Sequence, residues 1–287
     1  MFLGIGAQRS GSTWLHQNLS AHRGIWLPPT KELHYFNELR GEPFFCRRYR
    51  KKLRSRIGSV KNSLLRGEFE WSPADFMWDM KYFFLPRSDR WYSGLFSQGR
   101  NLVAGEITPA YSTLSTEVVA SIKNINPKMK VIFLMRDPID RSWSHARKEL
   151  PSLYGRPLEE IPRDIVMEWF SEPLCALRSD YMRTLDTWLA HFPAKQFFFG
   201  FLDEIMSDPN NFLLRVYDFL GVDKANKHLP DTAHAVVNAR KKVVIAPAYE
   251  YELAKIHEPK LARLKEMFDS YPSQWHERCI RILNEQS

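Results

Sequence analysis

The sequence predicts an α/β fold, a central and mostly parallel sheet flanked by helices, with helical insertions. Three observations carry this. Short apolar runs of strand type (Phe2–Gly6, 102–105, Lys130–Met135 and 196–201) alternate with stretches of helical spacing. The first run passes through a glycine-containing polar loop straight into a helix. No internal repeat or low-complexity linker divides the 287 residues, so the chain reads as a single domain, 1–287.

The opening stretch organises the rest. Phe2–Gly6 is a short buried strand, Arg9 to Thr13 is small and polar, and Trp14, Leu15 and Leu19 follow at helix-like spacing. Strand, glycine loop and helix make a phosphate cradle. Gly11 lets the backbone approach an anion, the N–H groups of the loop and first turn point at it, and the helix dipole reinforces them. Ser10, Ser12 and Thr13 add hydroxyls. Gly6-Ala-Gln-Arg-Ser-Gly-Ser-Thr13 nearly matches a Walker A loop, but Ser12 stands where its lysine belongs and the cation sits earlier, at Arg9.

The first helix should run to about 22 and a short second strand should cover 24–27, ended by Pro28 and Pro29. Lys31-Glu32-Leu33-His34 then falls at a strand's C-terminal end, where a parallel sheet forms its ligand crevice. Glu32 is a candidate base and His34 a second proton handler. Residues 37–100 read as a helical insertion with a basic cluster at 47–56 and many aromatics. The third strand, 102–105, leads into Glu106-Ile-Thr-Pro-Ala-Tyr-Ser112, and a helix should cover 116–124. Lys130–Met135 is the clearest buried strand, ended by Arg136-Asp-Pro138. The next helix, 139–150, carries Ser144 about two turns from Arg136, so an arginine fork and a hydroxyl can meet one phosphate monoester. An irregular stretch (151–162), helices at 163–171 and 178–192, a strand at 196–201 and a helix at 209–220 follow. A long connection, 222–248, carries Arg240, Lys241 and Lys242, and 249–283 forms one or two amphipathic helices.

Composition narrows the class. Formal charge is +8, which favours anionic partners without choosing among them. The three cysteines are widely spaced and give no metal or disulfide pattern, and are expected as free thiols. No apolar run approaches roughly 20 residues, so no membrane span is expected. With Met1 leading directly into a strand, the expectation is a cytoplasmic protein.

Four stretches, in order over most of the chain, resemble the sulfotransferases that use 3′-phosphoadenosine 5′-phosphosulfate (PAPS), the heparan-sulfate type and its bacterial relatives more than the cytosolic steroid and phenol type. They are Gly6 to Leu15, Lys31-Glu-Leu-His-Tyr-Phe36, Glu106-Ile-Thr-Pro-Ala-Tyr-Ser112, and Arg136-Asp-Pro-Ile-Asp-Arg-Ser-Trp-Ser144. The resemblance implies a P-loop, nucleotide-kinase-like fold and an enzyme moving a sulfuryl group from PAPS to a hydroxyl, or secondarily an amine, of a small molecule, lipid or glycan, with 3′-phosphoadenosine 5′-phosphate (PAP) as product and no metal. It implies that Arg9, Ser10, Gly11, Ser12, Thr13 and Trp14 hold the 5′-phosphosulfate, Arg136 and Ser144 the 3′-phosphate, and Arg240, Lys241 and Lys242 a late loop over the nucleotide. Glu32 would be the base, assisted by His34, and the 37–100 insertion would line the acceptor site. Two departures stand out: Arg9 where many relatives have lysine, and Ile107 where several heparan-sulfate enzymes have an acceptor-contacting lysine.

Other classes make different demands. A P-loop kinase or NTPase needs Mg²⁺ and the loop lysine that Ser12 replaces. A nucleic-acid-binding protein would use the 47–56 cluster; the sulfotransferase reading expects no nucleic acid and leaves peripheral membrane contact and oligomeric state open.

Overall fold

The computed structural model describes residues 1–38, 52–58, 61–62, 65–66, 72–235 and 244–285. Five strands, β1 (Phe2–Gly6), β2 (Ile25–Trp26), β3 (Val103–Ile107), β4 (Lys130–Met135) and β5 (Phe197–Phe201), form one sheet in the order β2-β3-β1-β4-β5. Every pairing is parallel, with Phe2 opposite Gly105 on one side and Lys130 on the other, and Val131 opposite Phe197.

Side-chain alternation along the strands feeds two cores. Val131, Phe133 and Met135 enter one cluster, while Ile132 and Leu134 enter the other. The second cluster is closed by α1 (Ser12–Ser20) through Trp14, Leu15 and Leu19, and by a later helix, Pro209–Leu220, through Phe212, Leu213 and Val216. The opposite face is covered by a larger layer. It includes α2 (Tyr35–Glu38), α3 (Pro73–Phe84), α4 (Asp89–Gly94), α5 (Thr116–Ile125) and α6 (Pro138–Tyr154). It is completed by α7 (Arg163–Ser171), α9 (Tyr181–Leu189) and the two C-terminal helices Pro247–Met267 and Tyr271–Glu285, with α8 (Pro173–Arg178) packed against α7. Gly105 is required at its place in the sheet: a Cβ there would lie 2.4 Å from the Phe2 ring.

The elements follow the expected order with two differences. The helix expected to stop near 150 continues to Tyr154, because buried Leu150 anchors its last turns and Gly155, in the left-handed region at φ 66°, caps it. The single helix expected over 178–192 is broken at Ser179 and Asp180. Asp180 is the reason: its carboxylate accepts from the Arg183 backbone and starts α9 afresh. The tail resolves into two helices packed on each other.

Behind α6 lies a polar island in the core. Arg141 is fully buried, and its guanidinium donates to Ser179 Oγ (2.7 Å) and Ser142 Oγ (3.1 Å). Ser142 in turn meets His257 Nε2 at 3.0 Å, and Arg178 lies 2.7 Å from His145 Nε2. Burial, then the charges of Arg141 and Arg178, push His145 down to about 2. Burial, then Arg141 and Lys260, push His257 down to about 3. Histidine in the unfolded chain titrates near 6.5. Below that pH the unfolded chain binds protons that the folded chain refuses. Stability is therefore full above about pH 6.5 and declines as pH falls toward 3, by up to roughly 1.4 kcal/mol per pH unit for each histidine. Urea midpoints are expected to fall between about pH 7.5 and pH 5, and to fall less steeply in His257→Gln.

Candidate active site

The loops after β1, β2, β3 and β4 emerge at the same end of the sheet, and the connections to either side of β1 diverge there. This is the switch point where parallel α/β sheets hold ligands. After β1 the backbone takes the left-handed region twice, at Arg9 (φ 71°) and Gly11 (φ 92°). At Gly11 a side chain would both be strained and reach 3.1 Å from Ile205 Cδ1. Gly11 caps α1 with no side-chain hydrogen bond, and the first turn carries no acidic residue. The N-terminal N–H groups and dipole of α1 are thus left for an anion.

The predicted cations gather around this terminus. Arg9 Nε donates to Ser144 Oγ at 3.0 Å, and Arg136 reaches the Arg9 carbonyl at 3.4 Å. Ser144 therefore faces the P-loop arginine, and Arg136 meets that residue's backbone. Arg136 also lies 3.7 Å from Asp140. Tyr181 holds Arg136 in place by donating to its carbonyl at 2.8 Å, and burial pushes its phenol up to about 12. Ser10 is fully buried, and Ser12 and Thr13 are half-buried. Trp14 turns its indole away into the second core cluster, where it donates to the Ala233 carbonyl at 2.8 Å; only its backbone remains with the loop. Arg240, Lys241 and Lys242 lie outside the described residues.

The Lys31–His34 turn joins the same site. Lys31 Nζ donates to Thr13 Oγ1 at 2.8 Å and lies 3.8 Å from Glu32 Oε1. Burial lowers the Lys31 ammonium from its usual value, Glu32 pulls it back up, and Lys148 lowers it further. Glu32 Oε2 is 3.3 Å from His34 Nε2, and His34 Nδ1 is 3.0 Å from Asn37 Oδ1. The Glu32 side chain is one-third exposed, so it is both held and open to a reactant.

Several contributors escape a reading of spacing alone. Lys31 stands in the sequence beside Glu32 and His34, and nothing local tells that it crosses to Thr13. Glu106 is fully buried and accepts four hydrogen bonds, from Leu33 N (3.1 Å), Tyr92 OH (2.8 Å), Thr108 Oγ1 (2.7 Å) and Tyr111 OH (2.9 Å). Burial raises its carboxyl above the usual range while those donors oppose the rise. Two cations of the 47–56 cluster turn inward: Lys52 donates to the Lys31 and Glu32 carbonyls, and Arg56 pairs with Asp79 at 2.9 Å. Arg47, Arg48, Arg50 and Lys51 lie outside the described residues.

A glycine-containing loop that leads into a helix at a parallel-sheet switch point, met by an arginine and a serine from a second strand end, is the layout of the P-loop-like fold. A sequence profile of the sulfotransferase family matches residues 2–226, and the chain belongs to that family. It is 29% identical over 147 residues to mouse heparan sulfate glucosamine 3-O-sulfotransferase 3B1, a match covering 48% of this chain and 37% of that protein. With mouse heparan sulfate glucosamine 3-O-sulfotransferase 6 it shares 30% over 157 residues, or 53% and 44% of the two chains. The matched stretch thus spans less than half of either relative. Solved structures share the fold. A sulfotransferase from Alicyclobacillus acidocaldarius superposes with a TM-score of 0.64 at 22% identity over 96% of this chain and 97% of that one. The sulfotransferase domain of the Synechococcus PCC 7002 olefin synthase gives 0.55 at 17% identity over 90% and 93%. Among the described residues no helix is long and apolar enough to cross a membrane, and no acidic, histidine and cysteine group is arranged to hold a metal.

The strand-end loop after β4 has its own support. Asp137 caps α6 by accepting from Ile139 N at 2.9 Å, and Arg278 donates to Asp137 at 2.6 Å and to Asp140 at 3.0 Å. Burial pushes Asp137 up to about 6 against the pull of Arg278. Arg278→Ala would leave that carboxylate buried without its cation. The expected loss near neutral pH is roughly 3 kcal/mol, the lower end for a broken buried pair because Arg278 is partly exposed. The deficit should shrink as acid protonates Asp137; a urea-unfolding deficit that stays constant between about pH 8 and pH 5 would contradict this.

Proposed function

We propose that the chain transfers a sulfuryl group from PAPS to a hydroxyl, or secondarily an amine, of a small-molecule, lipid or glycan acceptor, with Glu32 as the base. The observation that carries this reading is the Lys31–Thr13 hydrogen bond of 2.8 Å, which ties the Glu32 turn to the first turn behind the phosphate loop. A base and an anion cradle thus share one crevice. The residues present fit the donor: a helix terminus without a side-chain cap, Arg9 and Lys31 suit a 5′-phosphosulfate, and Arg136, which reaches the Arg9 carbonyl, and Ser144, which Arg9 meets, are the candidates for a 3′-phosphate. PAPS, when bound, supplies an activated sulfuryl group and PAP as its leaving group.

The chain's own residues do the rest. Glu32 takes the proton from the acceptor hydroxyl as its oxygen attacks sulfur in line, which by itself is worth about 10²–10⁴-fold. Arg9, Lys31 and the α1 N–H groups stabilise the negative charge that develops on the departing phosphate oxygen. Arg9 keeps its proton throughout, so it stabilises charge without delivering a proton. His34, 3.3 Å from Glu32, orients the carboxylate or relays its proton. The names of the curated relatives support O-transfer, while Ile107 argues against a copy of their polysaccharide contacts. The 37–100 insertion, whose Lys52 touches the Glu32 turn, supports an acceptor site on that side. The inward turn of Lys52 and Arg56 counts against a nucleic-acid surface built on the cluster.

Glu32→Gln is expected to abolish transfer of radiolabelled sulfur from PAPS to a hydroxyl panel while calorimetric PAP affinity stays within about threefold. Wild-type transfer in this variant would remove Glu32 from the base role. Arg136→Ala is expected to weaken PAP binding about tenfold or more and to leave adenosine 5′-phosphosulfate, which lacks the 3′-phosphate, nearly unchanged. Equal losses for both ligands would refute the 3′-phosphate assignment, and tight Mg²⁺-dependent ATP binding without PAP preference would favour a kinase instead.

A further inference from the structure

The turn that carries Glu32 is an unfavourable piece of backbone. Glu32 and His34 both sit in the left-handed region at φ 60°, on either side of Leu33, and neither is glycine. Such a turn persists only where its surroundings over-determine it. Beside the Lys31–Thr13 and His34–Asn37 bonds, two charged side chains hold the backbone of this turn. The Leu33 N–H donates to the Glu106 carboxylate at 3.1 Å. The Lys52 ammonium donates to the Lys31 carbonyl at 3.1 Å and to the Glu32 carbonyl. The backbone donor meets a carboxyl oxygen, and the backbone acceptors meet a cation, the stronger form of that bond.

Both charges are themselves fixed. Glu106 is 1% exposed and is gripped by the hydroxyls of Tyr92, Thr108 and Tyr111. Lys52 runs over the Tyr82 ring, 5.8 Å from its centroid, and donates to its hydroxyl at 3.3 Å. Tyr82 is buried and stacks on Trp78 with centroids 4.9 Å apart. The helical stretch 52–58 that bears Lys52 is fastened to α3 by the Arg56–Asp79 pair. One charge therefore comes from the sheet and the other from the insertion, and the base-bearing turn is held between them.

We propose that Lys52 and Glu106 form a clamp that sets where the Glu32 carboxylate stands, so that both are positioning residues for proton removal. This rests on Glu32 being the base. The insertion then contributes to chemistry through a backbone contact, without its lysine touching donor or acceptor.

The test uses Lys52→Met, which removes the charge and keeps the stem over Tyr82, beside Lys52→Arg and Glu32→Gln in the full chain. Lys52→Met is expected to lower kcat for sulfur transfer from PAPS about 10–100-fold while KM for PAPS and PAP affinity stay within about twofold. Lys52→Arg should recover part of the loss. A second readout needs no acceptor: the Leu33 amide should exchange with deuterium about tenfold faster in Lys52→Met while the β3 amides keep their wild-type rates. Glu106→Gln, which retains an oxygen for the Leu33 N–H, should protect that amide nearly as well as wild type, and Tyr111→Phe should leave it unchanged. Wild-type kcat and Leu33 exchange in Lys52→Met would overturn the clamp. A parallel fall in PAP affinity would make Lys52 a nucleotide ligand, and uniformly faster exchange across the sheet would make its role only structural; either result overturns the proposal. Full transfer in Glu32→Gln would sink the base reading alone, since the exchange result still reports on the clamp.

Discussion

A strand paired in parallel on both sides is buried along its length, so the chain leaving its C-terminal end is confined between the loops of its neighbours. β1 holds that central place, between β3 and β4. The consequence is geometric. The phosphate loop, the Thr108 turn and the Arg136 corner must emerge side by side, and the turn after β2 is brought in beyond β3. Everything else in the site refines this convergence. Gly105 keeps β3 flush against Phe2, and left-handed backbone at Arg9 and Gly11 swings the loop into α1.

Charge is distributed in this site by function. The crevice itself is cationic, with Arg9, Arg136 and Lys31 around an uncapped helix terminus. Its nearby carboxylates are spent in distinct ways. Asp137 caps α6 and is paired by Arg278, and Glu106 is saturated by hydroxyls and one amide. Glu32 is one-third exposed and stands between Lys31 and His34. Histidines near the site follow the same division. His145 and His257 are kept neutral in the core by burial beside Arg141, whereas His34 stands against Glu32. Sulfuryl transfer, the reaction for which the family is named, asks mainly for positioning and charge stabilisation.

The insertion changes meaning once its contacts are known. As a string, 47–56 is a run of positive charge of the kind that solvates a surface or meets a polyanion. In three dimensions Lys52 and Arg56 face inward and tie the segment to the Glu32 turn and to α3. A helical period reveals which residues share a face, but the partner of that face belongs to another element, and here the partner is an irregular turn.

Much of the fold was legible in the sequence because its signals are local. Apolar runs such as Lys130–Met135 can only be buried strands when turn residues end them, and strand–helix alternation demands a parallel sheet. The strand–loop–helix turn after β1 was legible for the same reason, since glycine, hydroxyls and an arginine lie within a few residues. The strand end at Arg136 and the helix that carries Ser144 were legible too, but in the fold Ser144 meets Arg9, and Arg136 meets the Arg9 carbonyl. What spacing did not contain was contact between segments far apart in the chain: Arg9 with Ser144, Lys31 with Thr13, Glu106 with Leu33, Lys52 with the Glu32 carbonyl. Nor did it contain the partner of the Trp14 indole, which donates to the Ala233 carbonyl in the second core cluster. The sequence by itself determined the elements, their order and the chemistry available at each strand end. Only the tertiary structure decided which of those groups meet, because hydrogen bonds and ion pairs act over a few ångströms and chain separation says nothing about distances that folding closes.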